Sequence, residues 1–390
     1  MLTQAFAEAL AEAEKLIAGA PFVASEQDLA EGYEYLAGSI QASLRLAWAY
    51  QRDFPYFVQS TGPYTKMGLD NPDTLYFHAY LRDDAEYVVT GRRGSTADLS
   101  FQVLKGDYSP VEVPDSLSAF DDRAIEVDAD GAFELRFGPS AGGRNSFRLG
   151  AGSSMLLVRE VYSDWAAERR GTISIRRQDR AGLAPPAAGT DVMAKRYGVA
   201  GKILLSRLRT FLAFPEWFYL SEPVNTMTPP RPTPGGLATQ FSSAGHFDLG
   251  EDQALIVTVP AAGREVAPYQ GIQLGSMWYI SLDYINHQTS LNATQAQVDP
   301  DGKIRIVVAD RSPGVTNWVE TLGHRKGFLQ FRWQRVSSEL TEADGPGVEL
   351  VDFDAVPAAL PFYERNKITD EDWRERIAQR QHAIAGRMLG

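Results

Sequence analysis

From about residue 72 the apolar side chains stop recurring at helical spacing and begin to alternate, and an alternating chain must pair into sheets with a buried face. Thr74–Leu81 and Ala85–Gly91 flank an Arg82-Asp83-Asp84 turn, and Ala124–Asp128 and Ala132–Phe137 flank Ala129-Asp130-Gly131, so both pairs are expected as hairpins. Ser154–Tyr162 and Thr172–Gln178 supply two further strands. A second alternating region starts at Ala254–Pro260 and continues through Ser276–Tyr284, Lys303–Asp310 and Gly327–Val336, with Asp299-Pro300-Asp301-Gly302 as a strong turn.

Helical spacing surrounds these regions. Residues 3–19 are rich in Ala, Glu and Leu, and a second helix opens at Ser25, whose spacing to Asp28 fits a capping box; Leu29, Tyr33, Leu36, Ile40 and Trp48 form its apolar stripe. Val192, Val199, Ile203, Leu208, Phe211 and Leu212 mark a central helix over 191–212 that Pro215 is expected to end. Thr369 and Asp372 open a last helix carrying Trp373, Ile377, Ile384 and Met388 on one side. Residues 181–189 form a linker. Pro223–Gly236 should run extended, either as a lid or subunit-embracing arm or as a passive connection.

The expected organisation is a helical segment over 1–60, a first β-rich region over 61–180, a linker, helix and Pro-rich arm over 181–250, a second β-rich region over 251–336, and a tail and helix over 337–390. No repeat occurs at solenoid or propeller spacing. The fold class is α+β: a β-sandwich built from both β regions and covered by helices, with two adjacent sandwich domains as the alternative.

Composition narrows the chemistry. The 390 residues include no Cys, which removes disulfides, thiolate metal sites, iron–sulfur clusters and thiol nucleophiles. A net charge of -12, with no run of Lys or Arg, opposes nucleic acid and anionic membrane as partners. No stretch approaches about 18 uncharged apolar residues, and Glu8, Glu12 and Glu14 interrupt the N-terminal apolar run, so a cytoplasmic location is expected. The dinucleotide, phosphate-loop, serine-hydrolase, zincin and kinase signatures are absent. His78, His246, His287, His324 and His382 are dispersed; His246 and Asp248 share a side of a possible strand, which is two ligands and not a site. Neither a metal nor another cofactor is expected.

Three stretches concentrate reactive side chains. In Thr74–Leu81, Tyr76, His78 and Tyr80 point one way and Leu75, Phe77, Ala79 and Leu81 the other. In Ser276–Tyr284, Trp278, Ile280, Leu282 and Tyr284 oppose Tyr279, Ser281 and Asp283, and the following loop adds Asn286, His287 and Asn292. Such aromatic-polar faces suit a pocket for a ring-bearing ligand, and equally suit a solvent face. Asp283 is positioned to orient His287. The third stretch packs Arg311, Asn317, Trp318, Glu320, His324 and Arg325 between two strands; His324 would be a general base with Glu320 as partner, and Asn317 with Arg325 would stabilise an anion. A loop fastened by Trp318 with exposed charges explains the same residues.

The run from Trp278-Tyr279-Ile280-Ser281 through Asp299–Gly302 to Asn317-Trp318 and Gly323-His324-Arg325 resembles the C-terminal motif of bacterial domain-of-unknown-function family 1214. Asn71-Pro72-Asp73 is similar to an early element of such chains. The likeness covers roughly residues 250–336 and, loosely, the first half. It implies a jelly-roll-like sandwich and assigns no catalytic residue; where many members continue from Asn-Trp into Leu-Pro, this chain reads Val319-Glu320-Thr321.

Together these features lead us to expect a cofactor-independent lyase or isomerase that moves protons on an aromatic, phenolic or polycyclic substrate, by elimination or a retro-aldol cleavage releasing a small aldehyde. His324 or His78 would be the base, Tyr76 a proton relay, Asp283 an orienter, and Tyr284, His287, Asn292, Asn317, Trp318 and Arg325 substrate contacts. The alternatives are a non-catalytic binder of a hydrophobic ligand or partner, and a carbohydrate-active sandwich with Asp283, Asp310 and Glu320 as paired carboxylates. The Pro-rich arm and terminal helices make a homo-oligomer plausible.

Overall fold

The computed structural model describes residues 1–108, 110–233 and 239–389, without the side chains of 218, 388 and 389. The expected placements of Pro234–Gly236 in the extended arm and of the Met388 side chain on the last helix therefore lie outside the described residues. The chain divides into two units: Met1–Met67, Thr74–Glu160 and Arg170–Ala213 form unit 1, and Gly68–Asp73, Val161–Arg169 and Phe214–Gly390 form unit 2.

In unit 1, α1 (Gln4–Ala18) and α2 (Glu26–Trp48) precede the strands, and Ser25 and Asp28 close the expected capping box. One sheet has the order β1 (Val58–Thr61), β2 (Thr74–Tyr80), β8 (Ser153–Val161), β4 (Asp98–Lys105), β5 (Asp115–Asp121). The other runs β7 (Ser146–Arg148), β6 (Ala132–Gly138), β3 (Tyr87–Arg92), β9 (Thr172–Arg177). Ala79, Leu81, Phe101 and Val158 of the first meet Tyr87, Val89, Leu135 and Ile175 of the second in one apolar core. The outer face of the five-stranded sheet is also covered: Tyr80, Leu104, Met155 and Leu157 pack with Leu46 of α2 and Ile203 of α3 (Thr190–Phe218).

The two expected hairpins do not form. β2 and β3 lie in different sheets, so Arg82-Asp83-Asp84 is a crossing between layers, and residues 124–128 are not a strand although the turn itself closes. Pro215 does not end α3; it sits in the last turn, where its missing N–H costs a single helical bond.

In unit 2 the first sheet is β10 (Arg231–Pro232), β11 (Phe241–Asp248), β17 (Lys326–Gln334), β13 (Tyr269–Gly275), β14 (Ser290–Asn292). The second is β16 (Trp318–Glu320), β15 (Lys303–Ala309), β12 (Gln253–Pro260), β18 (Gly347–Asp352). Leu274, Leu329, Phe331 and Trp333 pack against Leu255, Val257, Ile306 and Val308. The one-turn helices α4 (Val356–Ala359) and α5 (Tyr363–Asn366) cover the second sheet with Val356, Leu360 and Tyr363, and α6 (Asp370–Leu389) follows its Thr369 cap.

Adding nine to each strand number of unit 1 reproduces both sheet orders of unit 2. The parallel pairing of β6 with β7 recurs in β15 with β16, amid otherwise antiparallel ladders. Side chains follow the same correspondence. Arg159 Nη1 donates to Gln102 Oε1, and Arg332 Nη1 to Gln273 Oε1, from β8 to β4 and from β17 to β13. Asn145 holds both backbone polar groups of Glu126 with its amide, and Asn317 holds those of Gln297. Asp128–Gly131 and Asp299–Gly302 make the same pair of turn hydrogen bonds, each ending on a glycine at positive φ, 86° and 76°. Each β region thus builds its own pair of sheets on one repeated plan, which is the two-sandwich alternative and not a single sandwich shared by both regions.

Among the described residues no helix is long and apolar enough to cross a membrane, and no group of three or more His, Asp or Glu is placed to hold a metal.

Candidate functional site

The alternation of β2 places Phe77 and Ala79 in the sandwich core and turns Tyr76, His78 and Tyr80 to the helix-covered face, where His78 is 1% exposed. That face is not a solvent face. Ser60, on the neighbouring β1, lies with Oγ 2.9 Å from His78 Nδ1, and the Tyr108 ring stands edge-on to the imidazole at 5.9 Å. Two hydrogen bonds, Tyr162 N to Asp73 O and Leu81 N to Ser154 O, set β2 antiparallel to β8 and place Tyr76 across from Arg159. The Arg159 guanidinium sits 5.9 Å from the Tyr76 ring centre and 2.8 Å from Gln102 Oε1. Arg207 enters from α3, fully buried, and donates to the carbonyls of Thr65 and Lys66.

The electrostatics follow from this packing. Burial, and after it the charges of Arg159 and Arg207, hold the His78 pKa down to about 3, so the imidazole is neutral. Burial pushes the Tyr108 phenol up against the opposing pull of the same two arginines. Next along β2, the Tyr80 ring meets Tyr50 at 4.6 Å, and Arg52 lies 4.7 Å from the Tyr50 ring centre. Arg52 and Asp107 wall an open cleft of about 480 Å³ in unit 1, together with Arg82, Asp83, Ser153 and Ser154.

Of the residues expected from sequence, Tyr76 and His78 belong to this cluster and the others lie in unit 2. There the expected pairings change. Asp283 accepts from Ile285 N, Asn286 N and Asn286 Nδ2, an Asx turn, and so does not orient His287. His287 Nδ1 is instead 3.1 Å from Glu320 Oε2, and Glu320 Oε1 also takes Gln288 N; Glu320 is therefore partner to His287 and not to His324. His324 is buried in the turn after Thr321, and Asp310 accepts from Gly323 N. Asn317 spends its amide on the carbonyls of Gln297 and Arg305 and on Gln297 N, which leaves it a backbone clamp in place of an anion donor.

Trp318 Nε1 donates to Ala309 O and its ring lies on Trp373; Asn292 caps Thr294 and Gln295; Arg325 Nε holds Leu249 O. Tyr284 is buried and its carbonyl takes Arg380. His246 Nε2 bonds Glu222 O. Ser276–Tyr284 is not a strand: Tyr279 adopts φ 56°, and the segment buries Trp278 and Tyr279, from opposite would-be faces.

Unit 2 also holds a buried polar cluster built on Asn71-Pro72-Asp73. Tyr269 Oη is 2.7 Å from Asp73 Oδ2, Trp165 Nε1 donates to Asp73 Oδ1, and Arg380 and Arg387 of α6 lie 4.4 and 4.9 Å from the Trp165 ring centre. Burial raises the Asp73 pKa although both arginines oppose it. Arg380 is also held by Tyr284 O and Ser290, and Arg387 by Pro72 O, while Arg387 Nε and Nη1 have no hydrogen-bond partner among the described residues.

Sequence reasoning missed Ser60, Tyr108, Gln102, Arg159 and Arg207. The available signals were charges set inside apolar runs, Arg159 beside Glu160 in Ser154–Tyr162 and Arg207 between Leu204, Leu205 and Leu208 of the central helix.

No protein-family model matches the chain, and no curated protein matches it. Among solved structures, an uncharacterised protein from Burkholderia cenocepacia is 26% identical, with 90% of this chain and 96% of that chain covered at a TM-score of 0.80. A Vibrio parahaemolyticus protein is 12% identical, over 82% of this chain and 98% of that chain, at a TM-score of 0.47. The fold described above is therefore similar to that of the Burkholderia protein along nearly the full length of both chains.

Proposed function

We propose that the chain is a cofactor-independent lyase or isomerase that transfers protons on an aromatic or phenolic substrate, and that the chemistry belongs to the His78 cluster of unit 1. The observation that carries this reading is a buried, neutral imidazole held by Ser60 and surrounded by Tyr76, Tyr108, Arg159 and Arg207. An imidazole kept neutral first by burial and then by two cations is a latent base. When an anionic ring enters and offsets those charges, His78 recovers part of its basicity and accepts a proton, while Arg159 stabilises the negative charge left on the substrate. Tyr76 and Tyr108 supply the ring contacts.

The repeated strand order supports a jelly-roll-like reading of each sheet pair, as the family resemblance of residues 250–336 implies. The test is solvent exchange. In D₂O the full chain is expected to speed deuterium uptake at the α-carbon of 4-hydroxyacetophenone and related aryl ketones, followed by proton NMR, and His78→Gln to abolish the acceleration. Binding of these probes without any exchange by the native chain would sink the enzyme reading and favour the sequestering protein.

A further inference from the structure

Each of the four sheets ends in two strands that are paired on one side only. Such an edge offers bare N–H and C=O groups to another chain, and folds normally blunt it. Among the described residues, six of the eight edges are blunted: β7, β10, β14 and β16 have two or three residues, and β1 and β5 each carry a bulge against their neighbour. The remaining two, β9 and β18, are six residues long, keep an unbroken register with β3 and β12, and contain no proline. They are the matching strands of the two repeats.

The direction of their backbone groups follows from two hydrogen bonds. Gln178 N donates to Glu86 O, and Phe353 N to Asp252 O, each extending its ladder by one residue. Hydrogen-bonded pairs recur at every second residue, so the N–H and C=O groups of Ile173, Ile175 and Arg177 on β9, and of Val348, Leu350 and Asp352 on β18, face away from the sheet. Among the described residues none of these groups makes a backbone hydrogen bond. Leu350 is 44% exposed although it shares the core-facing side of β18 with Val348.

We propose that copies of this chain join head to tail by strand addition, β9 of one copy pairing antiparallel with β18 of the next and fusing two four-stranded sheets into one. Full overlap of the outward groups pairs Ile173 with Asp352, Ile175 with Leu350 and Arg177 with Val348. That register keeps the core-facing side chains together, and Ile175 covers Leu350. On the opposite face it sets Arg176 against Glu349, in a pair without hydrogen bonds, where facing side chains stand closest. Both residues are exposed and neither has an ion-pair partner among the described residues. Pairing like with like compensates neither charge: β9 on β9 sets Arg176 against Ser174, and β18 on β18 sets Glu349 against Val351. Complementary charge therefore selects the mixed contact. It lies on a different sheet from His78 and is independent of the chemistry proposed there.

The experiment is sedimentation velocity on the full chain over a concentration series. The native chain is expected to self-associate. Arg176→Glu and Glu349→Arg, each alone, should raise the dissociation constant about tenfold by setting like charges opposite each other. Both positions are exposed, so each variant should melt at the native Tm. An equimolar mixture of the two variants restores opposite charges at every contact and should assemble as the native chain does. A native chain that stays monomeric would overturn the proposal. Association indifferent to both reversals would do the same by placing the contact elsewhere, and so would loss in both folded variants with no recovery on mixing.

Discussion

Ser60 Oγ and His78 Nδ1, 2.9 Å apart on adjacent strands, lock the only imidazole of unit 1 into one orientation beside Tyr108 and near the charges of Arg159 and Arg207. A histidine so enclosed has a measurable signature in the stability of the fold.

The His78 pKa, about 3, lies below the ordinary histidine value of about 6.5 that applies once the chain unfolds. Between those pH values the unfolded state binds more protons than the folded state, so stability falls as the pH drops through this window, by up to about 1.4 kcal/mol per pH unit. Above about 6.5 the group contributes no slope. Urea unfolding at pH 7 and pH 4.5 should show a smaller acid loss for His78→Gln than for the native chain; equal losses would contradict the neutral, buried assignment.

The two repeated arginines should respond differently to lysine. Arg332 is fully committed, to Gln273, Gln330 and the Leu69 carbonyl, and an ammonium cannot reach all three, so Arg332→Lys is expected to destabilise by about 2–3 kcal/mol. Arg159→Lys keeps a charge beside Gln102 but loses the planar fork, and is expected to reduce α-proton exchange sharply. Thermal melts and the exchange assay on both variants decide this.

Asn317 is buried and makes three backbone hydrogen bonds, whereas Asn145 makes its two near the surface. Asn317→Ala is expected to cost about 2–4 kcal/mol and Asn145→Ala about 1–2 kcal/mol, part of the latter from placing alanine at a φ of 50°. If Asn317→Ala abolished exchange in unit 1 chemistry with an unaltered melting temperature, its role as a clamp would be refuted.

Removing the carboxyl of Asp73 leaves Trp165 without its acceptor and Tyr269 with Asn71 Oδ1 alone, and Asp73→Ala should lower stability by about 2–4 kcal/mol. Asp73→Asn keeps an acceptor for Trp165, and Tyr269 retains Asn71 Oδ1 at 3.2 Å, so the cost should stay within about 1 kcal/mol. Because burial raises this carboxyl's pKa, its contribution is full at acid pH and fades as the pH rises through the folded value; the Asn variant should gain relative stability toward neutral pH.

Local signals were readable wherever a residue's partner is near in sequence. The Ser25–Asp28 and Thr369–Asp372 caps, the Asp299–Gly302 turn and the strands 303–309 and 172–177 all follow from short-range chemistry. Pairing was not readable, because a tight turn at Arg82-Asp83-Asp84 serves a crossing between sheets as well as a hairpin. Tyr279 reads as a strand residue until its backbone is seen at positive φ. The His78 cluster was half legible: alternation on one strand put Tyr76 and His78 together, but Ser60, Tyr108, Arg159 and Arg207 arrive from four other segments that only the fold assembles.

The repeated nine-strand plan lets the chain act as its own control. Where both copies hold the same group in the same bond, as with Gln102 and Gln273 or Asn145 and Asn317, the requirement comes from building the sheets. Where they diverge at matching register, the requirement comes from somewhere else. Opposite the paired arginines stand Tyr76 in one copy and Ser242 in the other, and two residues further along stand His78 and Ala244. Subtracting one half of the molecule from the other removes what folding demands, and the remainder is an imidazole among phenols.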